Sequence, residues 1–304
     1  MITINSYTTV RRRERVPHEV FAHYWRDVHG PLCARLPGLG HYVQYHFDRD
    51  QDAHLWPLDH GIQEIPHYEL DGMVEIGFVD EESQRTFQAA SPVLFSDEQN
   101  MFAETLAYDL PQGSKAFKNT LADEHHNGPD QLDRLQLHLH PRQDLEALND
   151  YLEKQLGPWL AAQPAVLKVR VHPCVPFVND DRHPPSPDVA HRADTIRATL
   201  SMVEIVFASP LERRRFFASE AFRTTLAEQA QHIAFIKAFA VSGVYTYVHA
   251  GELTTAGLRG SRAAELIERL GAIKQTQPEV VHLLRHGSLP KQAAHPSAQT
   301  PGQD

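Results

Sequence analysis

Cysteine is almost absent from this sequence. Cys33 and Cys174 are the only two, too few for a disulfide framework or a four-cysteine zinc site, and they read as reduced thiols. Long hydrophobic runs are missing as well: no stretch approaches the roughly eighteen apolar residues of a membrane-spanning helix. The opening Met1-Ile2-Thr3-Ile4-Asn5 lacks the charged-then-apolar layout of a leader, so we expect a cytoplasmic protein with no membrane partner. Positive charge is scarce too. The formal net charge is -10, and Arg11-Arg12-Arg13 and Arg213-Arg214-Arg215 are the only basic runs, each read as a solvated edge or helix face. No basic face for phosphate follows from this, which argues against nucleic acid. Gly-rich phosphate loops, zinc-protease helices and Gly-x-Ser-x-Gly elbows are likewise missing, which removes several common enzyme classes.

What is present is a chain of 304 residues, 41% hydrophobic, long enough to bury a substantial core in one large domain or two ordinary ones. It looks like one unit written twice. Met73-Val74-Glu75-Ile76 with Phe78 recurs as Met202-Val203-Glu204-Ile205 with Phe207, and Phe87 and Phe216 keep the same spacing. Upstream, Gly30-Pro31-Leu32 matches Gly157-Pro158-Trp159, and Pro37-Gly38-Leu39 matches Pro164-Ala165-Val166.

Each unit reads β-α-β-β-α-β. In the first, strands are predicted over 2–10, 41–47, 73–79 and 114–120. A helix opens at Pro17 and closes at Gly30-Pro31, another covers 81–90, and Ser96-Asp97-Glu98-Gln99 reads as a capping box opening a further turn. In the second, strands are predicted over 134–140, 166–172, 200–207 and 242–249, and helices over 144–156, 210–219 and 225–239. A four-stranded sheet with helices on one face needs its other face covered, so the two halves are expected to pack sheet to sheet around a shared interior. The fold class is therefore α+β: two ferredoxin-like repeats forming an intramolecular α/β barrel. The expected divisions are 1–122, the working half; 131–250, a degenerate copy; a helical extension over 251–287; and a disordered tail over 288–304. Residues 123–130 form the linker, and the long connections 48–72 and 173–197 are expected to be lids.

His29 ends the first helix. Its counterpart Leu156 lies on an apolar stripe with Leu145, Leu148 and Leu152, so His29 should point inward and could move a proton. On the next strand Tyr42, Gln44 and His46 share one face, where the second half has Val169, Val171 and Pro173. One half is polar where the other is apolar, so a single site is expected, in the first half. Glu75 and Glu204 stand at matching points, which favours a shared structural role, although Glu75 could also orient a histidine. His138 and His140, two apart on a strand, have a spacing that a metal site can use, but a third ligand is not visible.

Phe21, Tyr24-Trp25, His29 with Pro31, Leu36-Pro37-Gly38-Leu39, Tyr42, Asp71-Gly72-Met73-Val74-Glu75 with Phe78, and Asp97-Glu98 with Phe102 together resemble the EthD family of the dimeric α/β-barrel superfamily. Members and relatives include cofactor-free cyclases and dehydratases, muconolactone isomerases and anthrone-type oxygenases. The resemblance implies His29 and Tyr42 as catalytic residues. Gln44, His46, Glu75, Tyr24 and Trp25 would contact a hydrophobic, aromatic or polyketide-like substrate. A cofactor-independent lyase or isomerase is expected. The alternatives are a haem- or metal-dependent monooxygenase, with His46, His138 or His140 as ligand, and a non-catalytic binding protein. Association into a homodimer stays open.

Overall fold

The computed structural model describes residues 2–50, 55–122, 125–179 and 186–290. The expected linker residues 123 and 124, parts of both long connections, and residues 291–304 of the expected tail lie outside them. The first part of the chain runs β1 (Ile4–Arg12), α1 (His18–Tyr24), a π-helical turn (Trp25–His29), α2 (Gly30–Ala34), β2 (His41–Phe47), β3 (Gln63–Glu64), β4 (Gly72–Phe78), α3 (Glu81–Ala90), α4 (Pro92–Glu98), β5 (Phe102–Leu110) and β6 (Lys115–Asn119). Next come β7 (Asn127–Pro129), β8 (Asp133–Pro141), α5 (Leu145–Tyr151), a second π-helical turn (Leu152–Leu156), α6 (Gly157–Ala161), β9 (Val166–His172), β10 (Ser201–Phe207), α7 (Pro210–Ala218), α8 (Glu220–Arg223), α9 (Leu226–His232) and β11 (Ile233–His249). β12 (Glu252–Leu253), α10 (Thr255–Arg259), α11 (Ser261–Arg269), a 3-10 turn (Ile273–Thr276) and α12 (Pro278–His286) complete it. None of the described helices is long and apolar enough to cross a membrane.

The architecture is mixed α/β around one large, mainly antiparallel sheet. Its main path is β5-β1-β4-β2-β11-β8-β10-β9-β6. β11 joins the two parts: its first half pairs with β8 and its second half with β2. β6 follows β5 after a short turn and pairs with β9, so the path begins and ends on neighbouring stretches of chain.

Several sequence expectations are corrected. Gly30 and Pro31 do not end the helix. Pro31 has no N–H, and its ring would crowd the carbonyl four residues back. The chain accommodates this by widening one turn, with the Gly30 N–H donating to the Trp25 carbonyl, and helix resumes as α2. Gly157 donates to Leu152 in the same way ahead of Pro158. Asp97 and Glu98 do not open a helix but close α4, which starts with Pro92 in its first turn, a signal the capping-box reading overlooked. The strand expected near 114–120 is β6. The strand that pairs with β1 is β5, whose alternate residues are buried. The helix expected over 225–239 ends at His232, because residues 233 onward pair with β8 and are drawn into β11 despite their alanines.

The space between the sheet faces is filled rather than open. Tyr7, Tyr45, Phe47, Met73, Tyr108, Phe239 and their neighbours pack there. An ionic cluster joins them. Arg170 spans Glu75 and Glu204, with Nη1 3.0 Å from Glu75 Oε2 and Nε 2.6 Å from Glu204 Oε2, and Lys168 and Arg134 also reach Glu204. Burial raises the Glu75 carboxyl, but Arg170 outweighs it and holds Glu75 down at about 2. The described part of the connection over 48–72, expected to be a lid, contributes to the core, and its residues 51–54 lie outside the described residues. Its Leu55 and Trp56 pack into the helix-side core of the second half, and Trp56 Nε1 donates to Gln229 Oε1 at 3.1 Å.

Candidate functional site

The site lies on the other side of the first sheet, between that sheet and its own helices. There a cavity of about 390 Å3 is lined by Thr8, Val10, Val74, Ile76, Thr105 and Ala107 from the strands, and by Trp25, His29, Cys33, Phe87, Leu94 and Glu98 from the helices. Tyr42 forms part of the sheet wall. Phe177, Val178 and His191 reach in from the connection over 173–197. The volume falls in the range of small-molecule sites, and the wall is apolar apart from a few convergent polar groups.

The π-helical turn delivers His29 to this wall, where it is almost fully buried. Its Nδ1 lies 2.8 Å from Asp97 Oδ2. The Tyr24 hydroxyl donates to the other oxygen of Asp97. Burial alone would raise Asp97, but the bonds from His29 and Tyr24 hold it below the usual carboxylate value. Tyr24 is pushed up to about 12, first by burial and then by this bond. A carboxylate can only accept, so Nδ1 of neutral His29 carries the hydrogen and Nε2 presents a lone pair. The ring of Phe102 meets the imidazole edge-on at 5.6 Å and fixes its tilt.

Asp97 and Glu98 occupy the last turn of α4, where the helix macrodipole disfavours anions. Asp97 is compensated by His29, Tyr24 and, at 3.4 Å, Asn100 Nδ2. Glu98 is not: its side chain has no hydrogen-bond or ion-pair partner among the described residues, and burial, with the Asp97 charge second, raises its carboxyl to about 8. Burial likewise pushes up the Cys33 thiol and the Tyr42 phenol, so both stay protonated. On the far wall the His191 Nδ1 is 3.1 Å from the Thr105 carbonyl, which makes it the N–H nitrogen, and His191 Nε2 has no hydrogen-bond partner.

Of the residues nominated from sequence, the cavity gathers His29, Tyr42 and Trp25. Tyr24 stands behind the wall and acts through Asp97. Gln44 and His46 do not reach the cavity. Gln44 is fully buried; its Nε2 donates to the Trp25 carbonyl at 3.1 Å and to the Tyr42 hydroxyl at 2.7 Å, and its Oε1 accepts from Tyr247. His46 stacks on Trp25 with centroids 4.3 Å apart, its Nε2 is 3.0 Å from Gln44 Oε1, and burial lowers its pKa. Glu75 is on the opposite face of the sheet, bound to Arg170. The sequence reading missed Asp97, Glu98, Cys33 and His191 as site residues. A signal for the first two was the pair of carboxyls at a helix C-terminus, legible only once α4 is placed correctly.

The suggested metal or haem ligands fit poorly. His138 has Tyr7 and Tyr68 hydroxyls 2.9 Å and 2.8 Å from its two nitrogens, and burial holds it down at about 3. His140 Nδ1 faces the Ile196 carbonyl at 3.1 Å, and His46 is engaged as above. Among the described residues no group of three or more His, Cys, Asp or Glu is placed to hold a metal ion. Leu148, Leu152, Leu156, Val169 and Phe222 pack together in a separate core; Leu156 ends its π-helical turn as His29 ends the first, and Val169 pairs with Ile205 as Tyr42 pairs with Ile76.

Residues 13–103 match the EthD domain. No curated protein matches the chain. Among solved structures, a candidate monooxygenase from Fusobacterium nucleatum shares 8% identity, over 83% of this chain and 96% of its own, with a TM-score of 0.48. An anthrone oxidase-like protein shares 11%, over 83% and 95%, with a TM-score of 0.48. A dye-decolorizing peroxidase from Bacteroides thetaiotaomicron shares 11%, over 80% and 94%, with a TM-score of 0.39.

Proposed function

We propose, from an EthD match over residues 13–103 whose residues supply most of the wall of an apolar cavity, that this chain is a cofactor-independent acid–base enzyme of the lyase or isomerase type. Its substrate is a hydrophobic, aromatic or polyketide-like small molecule. The observation that carries this is the His29–Asp97 pair on the cavity wall. Asp97 fixes the tautomer, and Tyr24 fixes Asp97. His29 Nε2 then accepts a proton from a carbon next to a substrate carbonyl, the step common to cyclisation, dehydration and isomerisation. The electron pair moves onto the carbonyl oxygen, towards which Tyr42 supplies a neutral phenol as donor. Gln44 holds that phenol in place.

In this reading the two parts of the chain are copies of one βαββαβ unit that close as an intramolecular α/β barrel. The first, residues 1–122, is the working copy. The second, 131–250, carries Leu156 and Val169 instead of His29 and Tyr42 and serves as scaffold. Phe177, Val178 and His191 complete the cavity wall and would limit water there.

The test uses α-tetralone, a planar aryl ketone small enough for the cavity. Wild-type protein in deuterium oxide is expected to catalyse exchange of the protons next to the carbonyl, followed by proton NMR. His29→Gln is expected to lower that exchange by about a hundred-fold or more. Exchange by His29→Gln at the wild-type rate would remove the assignment.

A further inference from the structure

The fully buried carboxyls among the described residues have cations beside them, and the half-buried Glu98 does not. Glu75, Glu104, Asp133 and Glu204 are all buried, and each meets an arginine: Arg170, Arg197, Arg213 and, for Glu204, both Arg134 and Arg170. Glu98 meets none, and it faces the cavity that His29 also lines. A carboxyl taken from water without a cation stays protonated rather than bear the cost of an unpaired charge. The cavity wall therefore brings together the His29 imidazole, whose Nδ1 is held by Asp97, and a neutral acid at Glu98, with the uncharged Cys33 thiol and Tyr42 phenol on the same wall. An imidazole oriented by a carboxylate and an unpaired carboxyl on one cavity wall can divide the roles of base and acid.

We propose that Glu98 is the general acid of this site, and that the substrates are β-hydroxy ketones whose loss of water extends a conjugated or aromatic ring. This rests on the base role assigned above to His29. In the step, His29 Nε2 takes the proton on the carbon between the carbonyl and the hydroxyl-bearing carbon. The C–H electron pair becomes the new C=C bond, the C–O bond breaks, and the departing oxygen takes the Glu98 proton and leaves as water. No electrons are exchanged with an outside partner. The imidazolium and carboxylate left behind are reset by proton transfer from His29 to Glu98, through solvent once product leaves. The apolar wall around the pair suits the flat, uncharged ring that results.

The probes are 3-hydroxy-1-tetralone, whose dehydration gives an enone that tautomerises to fluorescent 1-naphthol, and α-tetralone, which reports proton abstraction alone. Wild-type protein is expected to turn over both. Glu98→Gln is expected to lower naphthol formation at least about a hundred-fold, while exchange on α-tetralone falls by no more than about tenfold. Dehydration by the wild type should decline as pH rises through about 8, where Glu98 loses its proton, and exchange should not follow that decline. Naphthol formation by Glu98→Gln at the wild-type rate, or an equal loss of both reactions in a variant that is at least as stable as the wild type, would overturn the role of Glu98. Wild-type exchange without dehydration would overturn the substrate class. Absence of both reactions in the wild type would remove the base role of His29, and this inference with it.

Discussion

Replacing Glu98 by glutamine is expected to stabilise the protein above neutral pH, because the folded state now holds a carboxyl that the unfolded chain would ionise. The folded value of about 8 lies above the ordinary 4.5. Such a group leaves stability unaffected below the unfolded value, lowers it as pH rises between the two, and adds no further loss above the folded one. At about 1.4 kcal/mol per pH unit the ceiling is roughly 4–5 kcal/mol. Glu98 is partly open to the cavity, so solvent screens the penalty, and about 1–3 kcal/mol is the working expectation. The amide is nearly isosteric and carries no charge at any pH. Urea unfolding of both proteins, followed by tryptophan fluorescence, should give similar free energies at about pH 5 and a gap of about 1–3 kcal/mol in favour of the variant at about pH 9. A gap that stays constant with pH, or a variant less stable at the higher pH, would refute the claim that Glu98 is a desolvated, unpaired acid.

Arg170→Met should cost about 3–5 kcal/mol in urea unfolding near neutral pH, since it strips Glu75 of its main partner and Glu204 of one of three. The Glu75 contribution in the wild type is present above the unfolded carboxylate value and should fade as pH falls towards about 2. Asp97→Asn should lower α-tetralone exchange by about two to four orders of magnitude, because an amide can donate to Nδ1 and turn the imidazole to the wrong tautomer. Gly72→Ala should destabilise by about 1–3 kcal/mol, because an added Cβ would sit 2.5 Å from both the Trp25 ring and the Tyr45 carbonyl oxygen. Thermal unfolding checks that figure.

The parts of the fold that were legible in the sequence are those where local pattern and tertiary pairing agree. β2, β4, β9 and β10 alternate or run apolar and lie where periodicity puts them. β11 was misread because its pairing with two neighbouring strands outweighs the helix preference of its alanines. The inward turn of His29 followed from its equivalence to Leu156, but the sheet face on which the site lies did not. A strand pattern says which residues share a face, and only packing decides which face meets helices and which meets the other sheet. That is why the sequence allows Glu75 among the substrate contacts, when it points away to Arg170. Gln44 and His46 share the face of Tyr42, yet Trp25 covers them and leaves them a supporting role. Asp97 was hidden by a wrong helix boundary, and His191 by a long connection with no periodicity to read.

The central claim is that His29 is the base and that its absence silences the second half. Writing the second half's residue into the first, His29→Leu, tests this most directly, because Leu156 shows that the same helical turn accepts leucine. The account predicts a variant that unfolds at about the wild-type urea concentration and has lost α-tetralone exchange by about a hundred-fold or more. Exchange that persists at the wild-type rate in a folded His29→Leu protein would contradict it.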